Sequence, residues 1–216
     1  SERGEVERTT PAQGPSAGAP SAAPNVALPA GEPRAPTVDE LATYAWLTPG
    51  AKVRRLSDAI PPPKGFTRVA LAEQSFGAFL RGLPLRAADA PVRTFAGEIL
   101  HMAGDRRVAA VAELDVSPTD IQQCADSVIR LHAEWKWSRG QRESIGYHFL
   151  SGDFASWPKY AAGVRAQVEG NKVVWAQAAA ASDTHATFRK YLDLVFNYAS
   201  TISLDKRSSE PIASAE

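Results

Sequence analysis

The longest helical pattern in the chain lies at residues 117–137, and it determines where the core of the fold must be built. Ser117 and Pro118 provide an N-cap residue followed by a proline at the first helical position, which together are typical of a helix start. After them, apolar and aromatic side chains recur at the spacing of one buried helical face. The residues on this face are Ile121, Cys124, Ala125, Val128, Leu131, His132 and Trp135. The pattern predicts one long helix that packs along this stripe.

Cys124 is the only cysteine of the chain, and the predicted helix gives it two interpretations. If the helix starts at Ser117, Cys124 lies two turns inside it, beyond the first turn, in which the helix dipole best stabilises a thiolate. Its place on the apolar stripe favours an inert core cysteine, because free cysteines are often buried. The alternative is a reactive nucleophile.

Asp126, Arg130 and Glu134 follow one another at intervals of four along the same predicted helix. As a solvated ladder, each of their ion pairs contributes only about 0.3–0.5 kcal/mol. Alternatively, Arg130 is partly buried and holds a neighbouring loop, and the tryptophans Trp135, Trp137 and Trp157 provide the cover that such burial needs. We favour a structural role for the ladder, because ion-pair ladders are common on helices.

Elsewhere the chain alternates between short helical and short extended patterns, which is typical of an α+β fold. Alternating apolar residues make 107–116 the clearest strand. Further strands are predicted at 66–71 and 144–150, and further helices at 39–46, 74–81, 157–168 and 185–200. We therefore expect a single α+β domain over 37–216, with a small mixed or antiparallel sheet packed by several helices.

Residues 1–36 have a different composition, rich in proline, alanine, glycine and serine and without an aromatic residue. Such a segment cannot bury enough apolar surface to offset its ordering entropy, so we expect a disordered tether. A polar, lipoprotein-like tether that starts with Ser1 rather than methionine indicates an exported bacterial protein, periplasmic or membrane-anchored, whose signal segment has been removed. A linker from a larger parent protein is the alternative.

Charge and spacing exclude several classes of partner. Lysine plus arginine and aspartate plus glutamate number 24 each, so no net charge attracts the chain to nucleic acid. No apolar run reaches the roughly 20 residues that span a bilayer. Histidines, carboxylates and the cysteine show no zinc-ligand spacing, and there is no glycine-rich phosphate loop. We therefore predict no nucleic acid, no transmembrane segment, no metal and no cofactor, and the sequence leaves the oligomeric state open.

A reactive Cys124 needs a base, and two of the four histidines can be compared for that role. His132 lies further along the same helix, about 12 Å away along its axis, which is too far to contact the sulfur. His148 lies on the face of its predicted strand opposite Tyr147, from which it can reach a groove. In this interpretation, Gln123 or a backbone amide stabilises the oxyanion.

Several blocks of the chain carry a family resemblance. The first block is Gln122-Gln123-Cys124-Ala125-Asp126, followed by Arg130-Leu131, Ala133-Glu134 and Trp135. The later blocks are Tyr147, Phe149, Ser151-Gly152, Trp157, Tyr160 and Gly163, then Tyr191-Leu192, Val195-Phe196, Tyr198-Ala199, Thr201 and Ser203-Leu204. In this order they resemble the bacterial domain of unknown function DUF4846 family, over about residues 60–204. The resemblance implies an exported or membrane-anchored bacterial protein.

The same resemblance implies that the domain is incomplete at its C-terminus. Family members continue past the helix that corresponds to 191–204 into an apolar strand introduced by Gly-His, whereas this chain continues with the polar segment 205–216. A cysteine on a helix followed by a histidine that opens a strand is also the order found in papain-like cell-wall amidases and peptidases. By this analogy alone, the family would carry a cysteine–histidine dyad.

Two functional hypotheses follow. The first, which the sequence favours, is a non-catalytic interaction or structural domain of the bacterial envelope, with Cys124 in its core and cell-wall peptide or glycan as its ligand. Its predicted binding residues are Arg130, Glu134, Trp135, Trp157 and Tyr160. The alternative is a papain-like cysteine hydrolase, similar to peptidoglycan amidases and peptidases. Its predicted catalytic residues are Cys124, His148 and Gln123, with a C-terminal histidine as the other candidate base.

Overall fold

The structure of the chain, a computed structural model, describes residues 32–170 and 172–207. Most of the predicted tether, residues 1–31, lies outside the described residues. Its last part packs on the domain, because Arg34 pairs with Val53 in an antiparallel bridge and donates to both carboxylate oxygens of Glu40 at 2.7 Å. Glu40 also accepts from the Thr37 amide at 2.8 Å, which completes the cap of the first helix. Arg34 is therefore tied to the helical part of the chain by both backbone and side-chain bonds.

Short helices and paired strands alternate along the described residues, and the predicted α+β class is confirmed. The helices are α1 (Val38–Thr43), α2 (Leu56–Ala59), α3 (Phe76–Arg81), α4 (Cys124–Ser138), α5 (Trp157–Ala161), α6 (His185–Tyr198) and α7 (Thr201–Arg207). The strands are β1 (Arg54–Arg55), β2 (Pro84–Leu85), β3 (Val92–Arg93), β4 (Ile99–His101), β5 (Gly146–His148), β6 (Phe154–Ser156), β7 (Val164–Glu169) and β8 (Lys172–Gln177). Consecutive strands pair as four separate antiparallel ribbons instead of one small sheet.

The α4 helix is shared by two hydrophobic cores. It contributes Ile129 and Trp137 to the larger core, which also contains residues of β5, β6, α5 and α6. From another side, Leu131 and Trp135 pack against the smaller core. The fully buried members of the smaller core are Tyr44, Phe79 and Leu83. Because one helix serves both cores, its position fixes the rest of the domain.

The predicted start of this helix at Ser117 is wrong. The helix begins at Cys124, and its N-cap residue is Gln123, whose backbone amide donates to the Asp126 carboxylate at 2.9 Å. Ser117 is buried, and its hydroxyl contacts the Thr119 hydroxyl at 3.0 Å instead of capping a helix. The helix therefore starts six residues later than the serine–proline signal predicts, and residues 117–123 are irregular.

The predicted buried face of the helix is wrong as well. Cys124 and Val128, assigned to the apolar stripe, are exposed. The buried residues are Asp126, Ile129, Arg130, Ala133, Glu134 and Trp137. These positions also follow helical spacing, but three of them carry charges. These three charged side chains can be buried because they pair with other polar groups. A pattern of apolar residues gives no sign of such pairs.

Other local predictions fare differently. The helix predicted at 185–200 is confirmed as α6, and its apolar stripe is buried. The strand predicted at 144–150 is confirmed over β5. The strand predicted at 107–116 is wrong, since only Ala112 forms an isolated bridge, with Leu85, and 66–71 is irregular. The helix predicted at 157–168 ends at Ala161, because Gly163 adopts φ +100° and the chain turns into the hairpin of β7 and β8.

Candidate functional site

Cys124 is the first residue of a 15-residue helix, and its side chain is exposed. It lies in a groove of about 390 Å³, which we call the cysteine groove. One wall is the start of α4, including Gln123 and Asp126. The opposite wall is the chain from Phe196 to Thr201, where α6 gives way to α7. The prediction of a core cysteine is therefore wrong, because the helix starts at Cys124 itself.

The residues around the first turn hold this helix end in place. The Gln123 side chain donates to Asp120 at 3.1 Å, and the Ser127 hydroxyl donates to the Gln123 carbonyl at 2.9 Å. Asp126 is only 5% exposed, and burial raises the pKa of its carboxyl group. Its Oδ2 caps the helix, whereas its Oδ1 has no hydrogen-bond partner among the described residues. Asp126 therefore fixes the helix start from a buried position, and its Oδ1 is inaccessible to solvent.

The position of Cys124 has a chemical consequence. Backbone N–H groups in the first turn of an α-helix lack intrahelical acceptors, and the helix dipole adds partial positive charge there. Such unpaired N–H groups can stabilise an oxyanion that develops next to them. The geometry thus places an accessible sulfur beside backbone donors.

The predicted solvated ladder is wrong, because Arg130 and Glu134 are fully buried. The Arg130 Nε donates to Glu134 at 2.8 Å, while its two terminal nitrogens donate to the carbonyl and the carboxylate of Asp115 at 3.1 and 2.6 Å. Asp126 caps the helix instead of joining this network. The alternative interpretation is the correct one here, since Arg130 holds a neighbouring loop.

The network extends from α4 to α6. Arg189 donates to the second carboxylate oxygen of Asp115 at 3.1 Å, and His185 contacts Glu134 at 3.0 Å. Burial alone would raise the pKa of Asp115, but Arg130 and Arg189 together hold it below its ordinary value. The charge network therefore joins α4 to the first half of α6, and the end of α6 begins the opposite wall of the cysteine groove.

The structure does not bring His148 to the cysteine groove. Its Nδ1 lies 3.2 Å from the Gly152 carbonyl, and its ring packs on Phe154 with 4.9 Å between centroids. The other histidines, His101, His132 and His185, contact Asp105, Tyr147 and Glu134 respectively. Within residues 32–170 and 172–207, no histidine lines the groove.

The predicted aromatic binding residues lie mostly inside the protein. Trp157 and Tyr160 belong to the larger core, and the Arg165 guanidinium covers the Tyr160 ring at 3.7 Å. Trp135 is partly exposed, but its indole N–H donates to the Gln74 carbonyl at 3.0 Å and its ring packs on Phe76. These three rings therefore serve packing and do not share one surface.

Two further properties of the described chain concern partners. Among residues 32–170 and 172–207, no helix combines the length and the apolar character needed to cross a bilayer. In that same part of the protein, no three His, Cys, Asp or Glu side chains are grouped so that they could hold a metal ion.

Comparison with known proteins gives one match. No curated protein and no solved structure matches the chain. The family model DUF4846, described as a domain of unknown function (4846), matches residues 56–215. The match includes both walls of the cysteine groove and the charge network that joins them. The chain therefore belongs to the DUF4846 family.

Proposed function

We propose that this domain is a cysteine hydrolase of amide bonds, with Cys124 as its nucleophile. The observation that carries the proposal is the exposed sulfur at the first residue of α4, inside a groove. The sequence favoured a non-catalytic domain because it placed Cys124 in the core.

The proposed reaction has two steps. The Cys124 thiolate attacks the amide carbonyl carbon, the C–N bond breaks, and the amine leaves with a proton from a general acid. Water then hydrolyses the thioester, which releases the carboxylic acid and the thiol. Backbone N–H groups of the first helical turn, with the second N–H of the Gln123 side-chain amide, stabilise the oxyanion in both steps. All four histidines lie among the described residues and none of them lines the groove, so we assign the acid–base role to a water molecule in the open groove.

The proposed setting is the bacterial envelope, with cell-wall peptide as the substrate class. Support comes from the composition of residues 1–36, which suits an exported tether, and from the family resemblance. Mass spectrometry of the N-terminus of the native protein from cell fractions tests this setting. A mature terminus in the periplasmic or membrane fraction is expected, and an unprocessed protein in the cytoplasmic fraction contradicts export.

The reactivity of Cys124 can be measured directly, because the chain contains no other cysteine. We expect iodoacetamide at pH 7 to alkylate the folded protein faster than the protein in urea, with intact mass as the readout. A matched control places the cysteine further along the same helix, as Val128→Cys in a Cys124→Ser background, since Val128 is exposed. The native cysteine should react roughly fivefold faster than this control. A folded rate at or below the unfolded rate contradicts the proposal.

A second candidate is the non-catalytic interaction domain. The contacts of His148 with Gly152 and Phe154 favour it, because they engage the one histidine for which the sequence suggested a catalytic role. In that case the cysteine groove binds cell-wall peptide or glycan without cleaving it. Muropeptides should then slow alkylation of Cys124 while remaining intact themselves, whereas their cleavage by the protein would exclude this candidate.

A further inference from the structure

The cysteine groove does not end at Gln123. A second groove, of about 310 Å³, shares Asp120 and Gln123 with it and continues toward the β3–β4 hairpin. Phe95 in the hairpin turn, Leu100 in β4 and Val116 line this space. We call it the hairpin groove.

Three exposed apolar side chains line the hairpin groove. Phe95 is 45% exposed, Leu100 is 62% exposed and Val116 is 50% exposed. Single exposed apolar residues are normal on protein surfaces. Three that converge on one small concave space are typical of a binding site for an apolar group.

We propose that the hairpin groove is the subsite that receives a large apolar or aromatic side chain of a peptide substrate, next to the amide bond that Cys124 attacks. This inference rests on the proposed function and names its substrate class. The two residues common to both grooves, Asp120 and Gln123, set the geometry. A peptide that occupies the hairpin groove must pass Gln123 to reach Cys124.

Polar residues frame both grooves. Arg93, Thr94 and Thr119 line the hairpin groove beside its apolar residues, and Asp120 and Gln123 line both grooves. A peptide backbone presents an N–H donor and a carbonyl acceptor at each residue, so its polar groups can find partners along this path. This favours a peptide over a hydrocarbon chain as the occupant.

The wall of the hairpin groove is built before any ligand arrives. Val116 follows Asp115, whose carbonyl and carboxylate are both held by Arg130. On the other wall, β3 and β4 pair as an antiparallel ribbon, and the Thr94 amide donates to the Glu98 carbonyl at 2.8 Å, which closes the turn that carries Phe95. A preformed apolar wall discriminates between side chains without an ordering cost on binding.

The test compares two alkylating reagents on the full chain. N-benzyl iodoacetamide carries an aromatic group, whereas iodoacetamide carries none, and the ratio of their rates at Cys124 is the readout. We expect a ratio of about ten for the native sequence, relative to the ratio for a free thiol, because an aromatic ring gains about that factor on contact with an apolar wall. Phe95→Ser and Leu100→Ser should each bring the ratio close to the free-thiol value.

The control and the outcomes separate this inference from the proposed function. Phe66→Ser replaces an exposed phenylalanine that lines neither groove, and it should leave the ratio unchanged. A ratio that is insensitive to both Phe95→Ser and Leu100→Ser, in variants with native circular dichroism, overturns the subsite. If iodoacetamide reacts slowly with Cys124 but the ratio of the two reagent rates still depends on Phe95, the proposed nucleophile is overturned and the subsite is supported.

Discussion

Arg130 is the residue on which the geometry of the candidate site depends most. Its guanidinium is fully buried and joins Glu134 of α4 to Asp115 of the preceding loop, and Asp115 in turn joins Arg189 of α6. Removing one partner from a buried ion pair leaves the other charge uncompensated, which is more destabilising than the loss of a surface pair. The site therefore rests on a network whose members cannot be removed singly.

Arg130→Ala should lower the free energy of unfolding by about 3–5 kcal/mol, because it leaves the Glu134 carboxylate buried with only His185 as a partner. Urea unfolding followed by tryptophan fluorescence measures the change. Arg107→Ala is the matched control, since the Arg107 guanidinium is exposed and pairs with Asp105 on the surface. The control should leave the free energy of unfolding nearly unchanged, because solvent screens an exposed pair. Equal losses in the two variants would contradict the role of burial.

His132 provides a pH-dependent contribution to stability. Burial, with a smaller effect of Lys136, lowers the pKa of His132 to about 4, and its Nδ1 lies 3.0 Å from the Tyr147 hydroxyl. The unfolded chain binds this proton at a pH near 6.5, whereas the folded protein does not bind it until the pH is near 4. The unfolded state therefore gains protons first as the pH falls, and stability decreases from about pH 6.5 downward to about pH 4.

The substitution His132→Gln tests this effect because glutamine cannot titrate but can still bond to the Tyr147 hydroxyl. Urea midpoints at pH 7 and pH 5 should differ less for the variant than for the native sequence. Most carboxylates keep their charge across this range, so histidines dominate the difference. An identical difference in both proteins would show that His132 is not a source of acid sensitivity.

At the level of elements, apolar sequence patterns predicted the buried face of a helix correctly where its buried side chains are apolar. They failed where the buried side chains are charged. The stripe of α6, with Phe188, Tyr191 and Val195, is entirely apolar and was predicted correctly. The buried face of α4 contains Arg130 and Glu134, whose partners Asp115 and His185 are remote in the sequence. A local pattern cannot identify such partners, so the sequence assigned the wrong face to α4.

The start of α4 was mispredicted for a related reason, and with it the site. Ser117 and Pro118 look like a helix start, but the Asp126 side chain caps the Gln123 amide in the observed helix. Gln123 is a weaker N-cap signal than serine, so the sequence did not favour it. The opposite wall of the groove, residues 196–201, could not be predicted at all, because it depends on how α6 packs against α4. The hairpin groove could not be predicted either, because tertiary contacts also bring its residues together.

Gly163 decides the change from α5 to β7, and alanine should not be tolerated there. Its φ is +100°, and a Cβ atom would meet the Ala179 carbonyl oxygen and the Gln177 side chain. Its own carbonyl accepts from the amides of Ala178 and Ala179, both at 3.1 Å, so the backbone cannot easily shift. We expect Gly163→Ala to lower the free energy of unfolding by about 3 kcal/mol, combining backbone strain with the clash.

Gly104→Ala separates the two contributions in Gly163→Ala. Gly104 also has a positive φ, +77°, but nothing lies within 4 Å of a Cβ atom built there. Only strain remains at this position, so the loss should be about 1 kcal/mol. Thermal and urea unfolding of both variants measure the difference. Equal losses would show that the contact with Ala179 is not decisive.

At the scale of the whole molecule, the two cores should unfold together because α4 belongs to both. Ile129 and Trp137 bury one side of the helix in the larger core, and Leu131 and Trp135 bury another side against the smaller core. Loss of either core exposes one of these sides and weakens the helix that the other core needs. We therefore expect one cooperative transition, with far-UV circular dichroism and tryptophan fluorescence coincident.

Hydrogen exchange on two matched variants tests this coupling at a distance. Phe79→Ala removes a buried ring from the smaller core, and Phe188→Ala removes one from the larger core. Each should lower stability by about 3–5 kcal/mol. If the cores are coupled, Phe79→Ala lowers the protection of amides in α6 as well as in α3. Phe188→Ala likewise lowers the protection of amides in α3 as well as in α6. Exchange that increases only in the core carrying the substitution would show two independent units. Both walls of the cysteine groove pack on the larger core, so they would then stay folded when the smaller core is lost.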